Sequence, residues 1–165
     1  MAAGDAPVVI AYDGSDVAKA AVRHAAELFP GRRAVLVTVW EPGLALLPVG
    51  PPDSLGTMPM PPNPEIVEEV DDAQHDHATR VADEGAELAN SLGLAAEAHS
   101  VADDLDVADT VIDLARDRGA AAIVVGSHGI SGLRSHLVGG VSRKLIRHSE
   151  LPVVVTRGGD ASATA

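Results

Sequence analysis

Apolar and polar positions follow two alternating patterns along this chain: short unbroken apolar runs, and longer stretches with helical periodicity. The run from Pro7 to Asp13 closes on Gly14-Ser15 and reads as a buried strand ending in a turn. Ser15 or Asp16 then caps a helix with apolar positions Val17, Ala21, Ala25 and Leu28, stopped by Pro30-Gly31. Ala34 to Trp40 is near-continuous and β-branched, as expected of a parallel strand covered on both faces.

Between Glu41 and Pro64 the patterning stops. Eight of the eleven prolines fall here, too many missing donors for helix or sheet to persist. This loop is either a lid, with Leu44, Leu46, Leu47, Met58 and Met60 as apolar material, or a tolerated surface insertion. Residues 65–92 resume a helical stripe (Ile66, Val70, Ala73, Val81, Leu88, Leu92) with an acidic start, and Gly93 ends it. Ala95 to Val101 is a weak strand. Asp103 to Asp106 cap a helix whose stripe is Val107, Val111, Leu114 and Ala115, and Gly119 stops it. Ala121 to Val125 is a strand, Val141 to Ser149 a short basic helix, and Pro152 to Thr156 a last strand.

Strands and helices in alternation, joined by right-handed crossovers, predict an α/β fold: a five-stranded parallel sheet in the order 3-2-1-4-5, helices on both faces. The chain then reverses direction between strands 1 and 4, and a ligand crevice should lie outside their carboxyl ends, at Asp13-Gly14-Ser15 and Gly126-Ser127-His128-Gly129. One domain, residues 1–157, accounts for the length, with 158–165 as a small, polar, disordered tail.

Composition removes several classes of function. No apolar run approaches the length a bilayer needs, and no basic and apolar leader is seen, so a soluble cytoplasmic protein is expected. Zero cysteines exclude disulfides and thiolate chemistry. A net charge of −12 and only three aromatics (Tyr12, Phe29, Trp40) argue against nucleic-acid binding. The charge is uneven, however. Residues 126–157 hold five Lys/Arg and one acid, +4 locally, while the remainder carries −16. That basic segment also holds the glycine cluster, which points to a bound anion.

Gly126-Ser-His-Gly129 and, after nine intervening residues, Gly139-Gly140-Val141-Ser142 put bare backbone amides on a turn after a strand and at a helix start. Both geometries bind phosphate, glycine allowing close approach and positive φ, the helix start offering unpaired N–H donors. Tight turning alone is the plainer alternative. Neither a P-loop nor a Gly-x-Gly-x-x-Gly pattern is present, which disfavours P-loop NTPases and NAD enzymes.

With Val8-Val-Ile-Ala-Tyr-Asp-Gly-Ser15, Val39-Trp-Glu-Pro42, Ile123-Val-Val-Gly-Ser-His-Gly129, Gly139-Gly-Val-Ser142 and Leu151-Pro-Val-Val-Val155, the chain resembles the universal stress protein family over nearly its whole length. The resemblance implies a Rossmann-like fold of the adenine nucleotide alpha hydrolase-like type. It further implies ATP binding, with Asp13 and Val39 at the adenosine end and Gly126, Gly129, Gly139, Gly140, Val141 and Ser142 around ribose and phosphates. Gly14, Ser15, Ser127 and His128 complete the expected nucleotide site. One departure stands out: Gly140 replaces the Ser or Thr of the family's ATP motif, removing a phosphate-facing hydroxyl worth roughly 1.5–3 kcal/mol. Ser142, further along the helix, is the possible substitute.

Asp13 suits a ribose hydroxyl or a Mg²⁺ ion; capping the next helix is its plain alternative. His75 and His77, two apart on a helix, face different ways and read as part of a solvated acidic surface. His128 has no evident partner for base catalysis, so no catalytic residue is assigned and any ATP hydrolysis should be slow. Arg134, Arg143, Lys144 and Arg147 are candidate counter-charges for phosphate. Val153 to Thr156, an apolar edge strand, pairs with a second subunit by the family resemblance. The expected role is a homodimeric, ATP-binding sensor or regulator in stress response that acts on an unidentified regulatory protein partner. A dimeric interaction module that binds no ATP is the alternative.

Overall fold

Nine elements alternate along the chain: β1 (Val8–Ala11), α1 (Asp16–Leu28), β2 (Arg33–Trp40), α2 (Pro64–Ser91), β3 (Ala95–Ala102), α3 (Val107–Asp117), β4 (Ala122–Gly126), α4 (Gly140–His148) and β5 (Val153–Thr156). The computed structural model describes residues 6–43, 63–103, 106–127 and 140–158. Most of the proline-rich segment and residues 128–139 and 159–165 lie outside them. Three helices begin on a side-chain cap: Ser15 accepts from Ala18 N–H, Asn63 from Glu65 N–H and Asp106 from Ala108 N–H. Pro64 at the first position of α2 gives up a donor that would have gone unpaired.

All four strand pairings are parallel, and the order is β3-β2-β1-β4-β5, as the alternation predicts. Successive strand residues serve opposite layers. Val8, Ile10, Leu36 and Val124 pack under α1 and α2. Val9, Val35, Val37, Ile123 and Val125 pack under α3, with Leu145 of α4 among them. The central strands are therefore apolar at every position because both faces are covered.

Two apolar stripes differ from expectation. On α1 the buried face is Ala18, Ala21, Val22 and Ala25, and Leu28 is 58% exposed. On α2 it is Ala78, Ala82, Gly85, Ala86 and Ala89, with Val81 and Leu88 partly buried and Ile66 54% exposed. Length explains Ile66. The 28 residues of α2 span about 42 Å and the 8 of β2 only about 26 Å, so the helix overshoots the sheet. Small residues explain the rest: a Cβ at Gly85 would stand 2.7 Å from the Tyr12 ring, so glycine is what lets α2 lie this close to β1.

At its near end the proline-rich segment is tied to α2, Gly43 N–H donating to Asp71 Oδ1 at 2.8 Å. At the far end of the chain, a Cβ on Gly158 would stand 3.2 Å from the side chain of Val17. Among the described residues no helix is long and apolar enough to cross a membrane.

Candidate functional site

α1 leaves the carboxyl end of β1 toward one face of the sheet, and α4, which follows β4, packs on the other, so the carboxyl ends of β1 and β4 open onto a crevice. Its volume is about 220 Å³. The walls are apolar, with Val37 and Val39 from β2, Val107 and Val111 from α3, and Val125 from β4. One end of the rim is Asp13; the other is Gly126 together with Gly140, Val141 and Ser142, where the amino end of α4 opens. Six residues singled out from the sequence thus line one crevice: Asp13, Val39, Gly126, Gly140, Val141 and Ser142.

The other expected site residues stand in the turn after β1, just past β4, or outside the described residues. Gly14 takes φ +77° in the turn after β1, a conformation glycine adopts without strain. Ser15 caps α1, and the Asp13 carboxylate accepts the Ser15 N–H at 3.0 Å, so Asp13 both braces this turn and faces the crevice. Ser127 is buried, its N–H on the Thr156 carbonyl at 2.7 Å. His128, Gly129 and Gly139 lie outside the described residues, as does Arg134.

The reasons for glycine differ from the sequence-based expectation. Neither Gly126 nor Gly140 has a positive φ. At Gly126 a Cβ would stand 2.7 Å from Val17 Cγ1 and 3.3 Å from the Val17 backbone, so this glycine is where α1 crosses the end of β4. At Gly140 no described atom lies within 4 Å of that position. Ser142 is almost fully buried and donates its hydroxyl to the Ser127 carbonyl at 3.4 Å, so replacing the missing hydroxyl at 140 would mean giving up that contact.

Lys144 pairs with two carboxylates of the chain itself. Its ammonium sits 2.7 Å from Asp109 Oδ2 and 3.1 Å from Asp106 Oδ1. The hydrogen bond from Lys144 holds the Asp106 carboxyl below the usual range, and Asp109, with Asp106, raises the lysine. Arg143 and Arg147 are exposed.

Tyr12 and Thr38 belong to the crevice, although sequence patterning marks both only as strand residues. Thr38 donates to the Tyr12 carbonyl at 2.8 Å and so holds β1 to β2 beyond the last paired residue. Burial, then the neighbouring Glu84, pushes the Tyr12 phenol up to about 12; that phenol donates to Glu84, which also pairs with Lys19. A wider cleft of about 680 Å³ adjoins, sharing Asp13, Thr38, Val39 and Val107 and running along α2 past Trp40 and His77. Trp40 lies on this wider side and stacks on His75 at 5.4 Å.

A doubly wound parallel sheet with an apolar crevice at its switch point, closed at one end by a helix amino terminus, defines an α/β protein built on a nucleotide-binding type of fold. A model of the universal stress protein family matches residues 6–157, and the chain belongs to that family. It is 28% identical over 161 residues to the universal stress protein YxiE of Bacillus subtilis, covering 91% of this chain and 97% of that protein. A solved member from Burkholderia pseudomallei is 27% identical with a TM-score of 0.64, covering 92% of this chain and 96% of that one. The Archaeoglobus fulgidus universal stress protein, solved in complex with dAMP, shares the fold at 22% identity and a TM-score of 0.60, covering 92% and 97%.

Proposed function

We propose that this protein binds an adenine nucleotide, ATP included, in the switch-point crevice and acts as a nucleotide-dependent regulator in stress response. The observation that carries this reading is the crevice itself: apolar walls suited to a base, Asp13 at one end, and at the other the amino end of α4, whose N–H groups and dipole favour phosphate. The dAMP complex of the Archaeoglobus relative supports it. At about 220 Å³ the crevice is small for a whole nucleotide, and the adjoining cleft, which shares Asp13, Thr38, Val39 and Val107 with it, supplies further room. Asp13 is the one carboxylate among the described residues of the deeper crevice, which suits a Mg²⁺ held mainly by phosphate and water. A cytoplasmic location fits a nucleotide reader.

Calorimetric titration with ATP·Mg tests the reading. Val39→Trp, which fills the wall shared by both clefts, is the blocking control. Heat that disappears in the variant supports the crevice as the site. No heat up to millimolar ATP in the unmodified protein would favour the second reading, a dimeric interaction module without nucleotide, whose specific support is the hydroxyl missing at Gly140.

The homodimer is proposed through β5. Ile123 N–H and Ser127 N–H bond to the Pro152 and Thr156 carbonyls, so the backbone groups of Val153 and Val155 point away from the sheet. Those valines are only partly buried. Val155→Lys should convert a dimer to a monomer in light scattering; an unchanged mass would place any dimer contact elsewhere.

A further inference from the structure

We propose that Lys144 is a positioning residue that latches the middle of α4 to the amino end of α3 and so holds the anion-facing rim of the crevice in register with its apolar wall. α4 has nine residues, of which Ser142 and Leu145 are buried. Leu145 is fully buried in the core, and Ser142 reaches Ser127 by a long 3.4 Å hydrogen bond. Leu145 belongs to a core cluster that includes Ala108, Val111 and Ile112 of α3. Lys144 adds a charged contact to the same helix, its ammonium 2.7 Å from Asp109 Oδ2 and 3.1 Å from Asp106 Oδ1, one charge shared between two carboxylates.

Asp106 is also the N-cap of α3, accepting from Ala108 N–H, and the next residue, Val107, lines the crevice. The capping carboxylate of one wall is therefore the lysine's partner on the other. Gly140, Val141 and Ser142 lie two to four residues before Lys144, so any sliding of α4 along α3 moves them against Val107 and Val111. The consequence for ligand binding rests on the nucleotide reading above; the consequence for α4 does not.

The test compares Lys144→Met, which keeps the side-chain length and loses the charge, with Lys144→Arg and Asp109→Asn, in the full chain. Hydrogen exchange of the α4 amides is read without nucleotide, and ATP·Mg affinity by calorimetry. Pairs this exposed are individually weak, so Lys144→Met should exchange about fivefold faster and bind about fivefold more weakly. Asp109→Asn should follow it in part, and Lys144→Arg should stay near the original protein. Salt at about 0.5 M should remove the difference between the original protein and Lys144→Met, which a loss of packing would not do. Exchange in Lys144→Met as slow as in the original protein, or a difference that survives the salt, overturns the latch. Failure of the original protein to bind ATP·Mg ends the nucleotide reading alone, because the exchange measurements decide the latch by themselves.

Discussion

Gly126 at the carboxyl end of β4 and Gly140 at the amino end of α4 line the same crevice, yet the chain uses glycine at each for a different reason. Gly126 is pressed by Val17: a Cβ there would stand 2.7 Å from the Val17 side chain and 3.3 Å from its backbone. Gly140 has no described atom within 4 Å of the equivalent point. The first glycine is a packing requirement of the α1 crossing, whereas at the second no described neighbour opposes a larger residue. A motif of glycines read as one phosphate-binding device thus divides into a structural half and a tunable half.

The sharpest way to break the comparison is at Gly126. Gly126→Val should cost about 3 kcal/mol, because the Val17 backbone cannot rotate away as a side-chain tip can. Chemical denaturation measures it, and adding Val17→Ala to Gly126→Ala should recover part of the loss. Loss of ligand binding in Gly126→Val would therefore report the fold before it reported the site. The opposite arm is Gly140→Ser, which should leave the denaturation midpoint nearly unchanged while tightening ATP roughly tenfold or more through one new hydrogen bond to a charged phosphate. Affinity unchanged or weaker in calorimetry would remove the hydroxyl account of position 140.

A third close approach extends the comparison at smaller cost. Gly85→Ala brings a Cβ to 2.7 Å from the Tyr12 ring but gains helix propensity, for a net loss of about 1 kcal/mol. Tyr12, the chain's single tyrosine, reports on this directly. Its phenol ionises near 12 in the fold against 10.0 ordinarily. The stability it contributes is complete below pH 10 and is lost as pH rises toward 12. Absorbance titration should show one phenolate step near pH 12, moved toward 10 in Gly85→Ala as α2 is pushed off the ring. A step at 10 in the unmodified protein would contradict the burial of Tyr12.

Strands and caps were legible because their signals are local. Unbroken valine and isoleucine runs mark β1, β2, β4 and β5, and Ser15 and Asp106 stand at helix starts where side-chain oxygens accept the first free N–H groups. Asp13, Val39, Gly126, Gly140, Val141 and Ser142 were named from the sequence and share a crevice because the strand order brings both loops to one edge. Val107 escaped notice, although a helix that follows a strand must begin at the carboxyl edge, and that signal would have found it. Thr38 escaped because its role is a long-range bond to the Tyr12 carbonyl.

The buried faces of α1 and α2 were misread toward their larger residues. Alanine and glycine carry little hydrophobic signal, yet they are what a helix places against a sheet it must approach closely, while Leu28 and Ile66 remain exposed. By itself the sequence determined the alternation of elements, a parallel sheet with helices on both faces, and the uneven charge of the chain. The first two follow from residue periodicity and chain chirality, the last from composition, and the strand order expected from them is the one the sheet adopts. Only the tertiary structure decided that Val17 forbids a side chain at 126, that Lys144 answers Asp106 and Asp109, and that Trp40 stacks on His75. Those contacts join residues far apart in the chain, and periodicity records which face of an element is buried, never which neighbour buries it.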